Sequence, residues 1–203
     1  MKVVEMFEGI QGEGKYAGYP CVFIRLSGCT RKCSFCDSKF HIKGKDVVYE
    51  DIINFVKNLK SKIIVWTGGE PLLQREGIYD IIKLLDEEYT HHIETNGDLL
   101  QESDFTKFLY IACSPKEEKA AKKVDKLFDK YLLFNEHGDI KVVTDGIHIA
   151  LTKYATMLMP LSIDFGGPKD KSTEKRVWNL CIKKQKKFCL RQHICVWGKR
   201  QGV

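Results

Sequence analysis

Three cysteines fall within eight residues, in the run Cys29-Thr-Arg-Lys-Cys33-Ser-Phe-Cys36. Three thiolates on one short segment can wrap a soft metal centre. A structural zinc ion usually takes four protein ligands, and only His41 stands nearby as a fourth. An iron–sulfur cubane on three thiolates instead leaves one iron without a protein ligand, open to a substrate group. The other cysteines lie at 21, 113, 181, 189 and 195. Cys21 and Cys113 sit in apolar, β-rich runs and read as core. Cys181, Cys189 and Cys195 could in principle hold a second cluster, but their wide spacing fits buried thiols acting as small apolar side chains.

Polar and glycine-rich residues close successive apolar runs: Thr67-Gly68-Gly69-Glu70, Glu94-Thr95-Asn96, Ser114-Pro115-Lys116 and Asp164. The cysteine segment closes the first such run, Cys21–Leu26. In parallel α/β folds the carboxyl ends of the strands are where ligands bind, so these residues are expected at one edge.

The elements that must position them follow from periodicity. Apolar, β-rich runs predict strands over 21–26, 62–67, 91–95, 109–113, 139–143 and 158–165. Helical spacing predicts helices over 50–59, 79–88, 117–131, 147–157 and 172–187, the last capped by Ser172. The stretch 188–203 is partly β-like. Strands alternating with helices imply right-handed βαβ units and a mainly parallel sheet. A complete eight-unit barrel takes about 250 residues, so 203 residues fit about six units. The expected fold is α/β, a partial (β/α)6 TIM-like barrel in one domain over 1–203. Its cysteine loop covers 27–45 and its tail 188–203.

Composition sets the broad class. Hydrophobic residues at 43% and charged residues at 30% suit a globular chain. The net charge of +6 comes with lysine-rich stretches at 116–130 and 183–187. Acidic residues interleave the first, which reads as a solvated helix face; a nucleic-acid surface would want aromatics placed among the basic residues for stacking, and only Phe188 borders the second stretch. No nucleic-acid partner is expected. No apolar run approaches the ~20 residues of a membrane span, and the first residues carry no apolar export signal. A cytoplasmic location with reduced thiols is therefore expected.

The C-x3-C-x2-C spacing, Phe35 before its last cysteine, and the run Gly68-Gly69-Glu70-Pro71 resemble the signature of radical S-adenosylmethionine (SAM) enzymes. Further runs narrow the likeness: Glu5-Met-Phe-Glu-Gly-Ile-Gln-Gly-Glu-Gly14, Gly18-Tyr-Pro20, Phe23-Ile-Arg-Leu-Ser-Gly-Cys29, Cys36-Asp37-Ser38, Gln192-His193 and Trp197-Gly-Lys-Arg-Gln-Gly-Val203. Together they resemble the 7-carboxy-7-deazaguanine synthase family, with 116–139 matching loosely.

The resemblance implies a [4Fe-4S] cluster on Cys29, Cys33 and Cys36, with SAM on the open iron and Mg2+ as a further cofactor. It implies a lyase of 7-deazapurine (queuosine-type) biosynthesis. A 5'-deoxyadenosyl radical would take hydrogen from a carboxytetrahydropterin, whose ring contracts to 7-carboxy-7-deazaguanine with loss of ammonia. It further implies a flavodoxin- or ferredoxin-type electron donor and a homodimer. By position, Ile10, Gln11, Gly12, Arg25, Thr67, His193 and Val203 would touch substrate. Phe35, Cys36, Asp37, Gly69, Glu70, Ser114, Pro115 and Lys116 would touch SAM, and Ser38 would bind Mg2+.

The residue chemistry bears on several of these roles. Arg25 offers a planar fork for a carboxylate, its bland alternative being a salt bridge. Ser38 offers a hard oxygen, or only a turn hydroxyl. Glu94 and Asn96 could bond SAM or be a polar strand end. Lys116 could be a SAM contact or a helix-start lysine, and His193 a substrate contact or a structural histidine. The free carboxylate of Val203 would accept pterin N–H groups, with Trp197 anchoring the tail. Two alternatives stand beside this reading: a glycyl-radical activating enzyme, and a zinc-stabilised binding module without catalysis.

Overall fold

The computed structural model describes residues 1–34, 36, 42–131, 137–198, 200 and 202. Among these described residues nine strands form one sheet in the order β3-β1-β2-β4-β5-β6-β7-β8-β9. They are β1 (Lys2–Ile10), β2 (Pro20–Leu26), β3 (Lys45–Asp46), β4 (Ile63–Gly68), β5 (Thr90–Thr95), β6 (Tyr110–Cys113), β7 (Gly138–Thr144), β8 (Met157–Pro160) and β9 (Lys187–Phe188). From β2 to β9 every neighbouring pair is parallel. β1 and β3 add an antiparallel edge. The sheet does not close on itself, so the expected partial TIM-like barrel is what forms.

Parallel strands joined by crossovers bury both faces, and the two faces here differ. Outward-pointing Val22, Ile24, Leu26, Ile64, Trp66, Ile93, Ile111, Ile140 and Leu158 join one large apolar cluster with residues of the covering helices. Those helices are α1 (Tyr49–Lys57), α2 (Arg75–Leu84), α3 (Glu118–Tyr131) and α4 (Pro168–Lys184). The apolar stripe of α3, for example, is Ala120, Ala121, Val124 and Phe128, the i, i+1, i+4, i+8 pattern of a helix with one buried face. The inner face holds only two small apolar groups, Cys21–Phe23–Val65 and Met157–Met159–Cys189. Between them it is polar.

Several elements differ from expectation, among them the helix expected over 79–88, which runs over Arg75–Leu84. β1 was not anticipated, because its burial pattern shows no clean alternation. The helix expected over 147–157 reduces to a 3-10 turn, Ala150–Lys153. The Asp145 carboxylate takes the N–H groups of Ile147 and His148, each at 2.8 Å, and such side-chain bonds compete with a helix. The strand expected over 158–165 ends at Pro160. The last long helix begins at Pro168 rather than at Ser172, since a proline without an N–H suits the first helical position. The tail is not β-like beyond the two residues of β9; it forms the short helix α5 (Gln192–Trp197). No helix among the described residues is long and apolar enough to cross a membrane.

Beneath the polar face lies a buried histidine pair. His91 Nδ1 accepts a bond from Trp66 Nε1 at 3.1 Å. His92 stands among Tyr16 and Tyr110, with ring centroids 4.3 and 5.6 Å away, and its nitrogens lack protein partners among the described residues. Burial pushes both imidazoles down to about 4, with His91 adding to the effect on His92. Each therefore stays neutral in the fold while the unfolded chain takes a proton below about pH 6.5. Their contribution to stability is whole above that pH and is lost as the pH falls toward 4. At pH 5 the loss should be about 2 kcal/mol for each residue. Urea midpoints at pH 7 and pH 5 will measure it. His92→Phe should remove about half of the fall, and a wild-type midpoint equal at the two pH values would contradict the account.

Candidate active site

The cysteine segment leaves the carboxyl end of β2, and backbone bonds fix it to the turn after β4. Glu70 N–H donates to the Gly28 carbonyl at 2.9 Å and Gly69 N–H to the Leu26 carbonyl at 3.4 Å. A Cβ at Gly69 would overlap the Gly28 carbonyl oxygen and meet Cys29 Cβ at 2.9 Å. Only glycine permits so close an approach.

Arg31, between the first two cysteines, ties the segment to the other side. Its Nε and Nη2 donate to Asp98 at 2.7 and 2.6 Å, a bidentate pair, and Nη2 lies 2.9 Å from Glu117 Oε1. These partners hold the Arg31 guanidinium well above its ordinary range. Burial would raise the Asp98 carboxyl, yet the bond from Arg31 holds it low.

The three cysteines are half-buried and line one cavity of about 690 Å3, a size suited to a cofactor and a small substrate. Burial raises the Cys29 thiol, although the Arg31 N–H donates to its Sγ at 3.4 Å. Among the described residues no three His, Cys, Asp or Glu groups converge on a single ion. A cubane needs no such convergence, because each thiolate binds a different iron. Three thiols facing one cavity, on a loop braced by Gly69 and Arg31, thus fit an iron–sulfur cluster with one open iron.

Opposite them, the loop 11–19 returns from β1 to β2 at the amino end of the parallel strands and folds against the inner face. Gln11 Nε2 donates to Glu94 Oε1 at 3.1 Å, and Thr67 Oγ1 donates to Glu94 Oε2 at 2.9 Å. The Glu94 carboxylate is thereby fixed by one group from the loop and one from β4. Glu13 pairs with Lys141 of β7, and Arg191 Nε lies 3.3 Å from Glu13 Oε1 without hydrogen-bond alignment. Burial would raise the Glu13 carboxyl, but these two cations bring it well below its usual range. Burial would likewise lower Lys141, and the carboxylates Glu13 and Glu94 hold it up.

The tail completes the wall. Gln192 N–H donates to the Gly12 carbonyl at 2.9 Å, and a Cβ on Gly12 would overlap the His193 imidazole. Trp197 is half exposed and carries Arg200 over its ring at 5.2 Å, so the tail is anchored through Gly12 rather than through Trp197.

Of the residues expected in the site, Ile10, Gln11, Gly12, Arg25, Cys29, Cys33, Cys36, Thr67, Gly69, Glu94, Asn96, Ser114, Lys116 and His193 line this cavity. Arg25 Nε also pairs with Glu5 at 2.7 Å. Lys116 Nζ donates to Ser114 Oγ at 2.8 Å. Pro115 is buried and Glu70 lies behind the wall, fully buried. The Glu70 carboxylate accepts from Thr95 Oγ1 and Asn96 N–H, each at 2.8 Å, and from Leu72 N–H at 3.1 Å. Burial raises its pKa despite these bonds. A brace between β4 and β5 is what the structure makes of Glu70. Phe35, Asp37, Ser38, His41 and Val203 lie outside the described residues.

Sequence reasoning missed Glu13, Arg31, Lys141, Phe165 and Arg191, all of which also line the cavity. The available signal was Lys141, a charge inside the apolar run of β7, the same anomaly that marks Arg25 in β2. Cys181 and Cys189 are buried and Cys195 is exposed. Gly14 N–H donates to Cys189 Sγ at 3.1 Å, which gives this thiol a packing role.

A model of the radical SAM superfamily matches residues 23–127. The 7-carboxy-7-deazaguanine synthase of Aquifex aeolicus is 44% identical over 116 residues, covering 55% of this chain and 53% of that protein. The synthase of the same name from Thermoplasma acidophilum is 32% identical over 145 residues, covering 70% and 69%. The chain thus spans about half the length of the first relative and about two thirds of the second. The crystal structure of QueE from Escherichia coli has a similar fold, with a TM-score of 0.59 at 20% identity, covering 95% of this chain and 94% of that one.

Two glycine substitutions separate the halves of the site. Gly69→Ala should strip the reconstituted protein of most of its iron, because the clash is with backbone. Gly12→Ala should leave iron unchanged and free the tail, so that trypsin cuts at Arg191 or Arg200 at least ten times faster. Iron analysis and timed proteolysis will read the two effects.

Proposed function

This chain belongs to the radical SAM superfamily and to its 7-carboxy-7-deazaguanine synthase family, and from that premise we propose that it converts 6-carboxy-5,6,7,8-tetrahydropterin to 7-carboxy-7-deazaguanine with release of ammonia. The observation that carries the reading is the meeting of the three cysteines with Gln11, Arg25, Thr67, Glu94 and His193 in one cavity. Side chains suited to a pterin carboxylate and thiols suited to a cluster thus share one cavity, which supports the reading.

Family membership implies a [4Fe-4S] cluster and SAM, and Cys29, Cys33 and Cys36 are the residues that would hold the cluster. When bound, the two supply radical chemistry through one-electron reduction of SAM. The protein's own part is binding and orientation. The Arg25 guanidinium, steadied by Glu5, suits the pterin carboxylate. Glu94, fixed through both oxygens, offers acceptor lone pairs to amino and ring N–H groups. The Glu13–Lys141–Arg191 group supports the floor on which Gln11 and Gly12 sit. Ser114, Lys116 and Asn96 line the cavity and are assigned to SAM, with Gly69. Phe35, Asp37, Pro115 and Glu70 support that assignment by resemblance, Glu70 acting through Asn96. Ser38 is assigned to Mg2+ and Val203 to substrate on the same ground. A flavodoxin- or ferredoxin-type reductant, a homodimeric state and a cytoplasmic location belong to the proposal as the resemblance gives them.

Anaerobic incubation of reconstituted protein with SAM, dithionite and the carboxytetrahydropterin, followed by mass spectrometry, tests the reaction. The deazaguanine acid should accumulate; reductive SAM cleavage without it would overturn the substrate. Reconstituted protein should carry about four irons per chain. Cys29→Ala, Cys33→Ala and Cys36→Ala should each lose them, while Cys181→Ala, Cys189→Ala and Cys195→Ala should not. Glu94→Gln should lower kcat/KM by roughly 10- to 100-fold, since a charge-assisted acceptor is lost. Mg2+ should stimulate turnover, and Ser38→Ala should flatten that response. A wild-type Mg2+ curve in the variant would remove Ser38 from the metal site.

A further inference from the structure

Among the described residues, two outside glycine hold a left-handed backbone, Gln185 and Phe165. Gln185 ends α4, where such a conformation is an ordinary helix cap. Phe165 has φ +47°, lies in the loop between β8 and α4, and lines the cavity. A bulky side chain in this region is a genuine outlier, and such strain persists only where the surroundings over-determine it.

Those surroundings are visible. Asp170, 3% exposed in the first turn of α4, turns its carboxylate back onto the loop. It accepts from Ile163 N–H at 2.8 Å, Asp164 N–H at 2.9 Å, Gly166 N–H at 2.9 Å and from Ser162 Oγ. Burial would raise the Asp170 carboxyl, but these four donors hold it low. The bonds flank Phe165 on both sides and fix its backbone. Gly166, next in the chain, lies against Ile194 of α5, which also lines the cavity. One buried carboxylate thus braces the loop residues on either side of Phe165, and with them its unfavourable backbone conformation at the cavity wall. If the ring served only as core, a residue without strain would serve as well.

We propose that Phe165 is a stacking platform for a planar nitrogen heterocycle bound in this cavity, and that Asp170 is the residue that positions it. An aromatic face attracts a flat heteroaromatic ring through offset stacking, and a ring held rigid in advance loses little freedom on binding. The inference rests on the proposed function in so far as that function brings two such flat rings to the cavity, the adenine of SAM and the pyrimidinone ring of the tetrahydropterin. Phe165 selects for the flat ring common to both classes of ligand, and the measurement assigns it to one.

Isothermal titration of the cluster-loaded protein, under anaerobic conditions, with S-adenosylhomocysteine and separately with 6-carboxypterin tests it. Phe165→Leu should weaken one ligand at least 10-fold and leave the other within 2-fold, and Phe165→Tyr should restore the affinity. A selective loss for S-adenosylhomocysteine names adenine as the stacked ring; a selective loss for carboxypterin names the pterin. Phe165→Gly should relax the backbone, melting no earlier than Phe165→Leu while binding as poorly. Equal affinity of wild type and Phe165→Leu for both ligands would overturn the proposal. So would a Phe165→Gly protein that melts well below Phe165→Leu, because the ring would then be packing. Wild type binding neither ligand would defeat the functional reading, and this inference with it.

Discussion

The Glu13 carboxylate, lodged between Lys141 and Arg191, is the contact on which the rest of the site depends. The parallel strands curl only part of the way round, so their inner face has no opposing strands to fill it. A lysine on that face must be paired or pay heavily for its burial. The partner comes from a loop far away in the chain, and the loop brings Gln11 and Gly12 with it. Gln11 then fixes Glu94, and Gly12 receives α5. Floor, wall and tail are thereby tied to one ion-pair group.

The metal side follows a different logic, based on backbone. Gly28 and Gly69 are in contact through main-chain atoms, and Arg31 reaches from the cysteine segment to Asp98 and Glu117. Bonds on either side of Cys29 fix the start of the loop, and its three thiols line one cavity. The second brace, Glu70, binds the β4 turn to the end of β5. The glycine-rich run after β4 therefore acts as mortar between loops as much as a ligand surface.

The parallel core was legible in the sequence because its strands are short continuous apolar runs, and the cysteine spacing stood out without any fold at all. What escaped was set by partners distant in sequence. β1 carries mixed polarity because most of its residues are only half-buried in the antiparallel margin of the sheet. Ser172 looked like a cap, yet Pro168 starts the helix four residues sooner. Glu13 and Arg191 could not be connected to Lys141 by any local rule, since each is one charge among many. Phe165 gave no sign, because strain belongs to the backbone and not to the letter. Glu70 was visible as a polar residue in the glycine-rich turn, but whether its oxygens face a ligand or its neighbours is decided only by packing.

The bond from Gly14 to Cys189 joins residues 175 apart, and the Glu13–Lys141 pair spans 128. Contacts of such separation form late, after their loop-closure entropy has been met by nearer ones. During synthesis the strand-and-helix layers can assemble in turn as each unit emerges, while the loop 11–19 waits for a partner not yet made. The cavity therefore acquires its floor and its wall only when almost the whole chain is out. A half-made chain presents the cysteine segment without the enclosure around it, and the order of events in time places the closing of the chamber last.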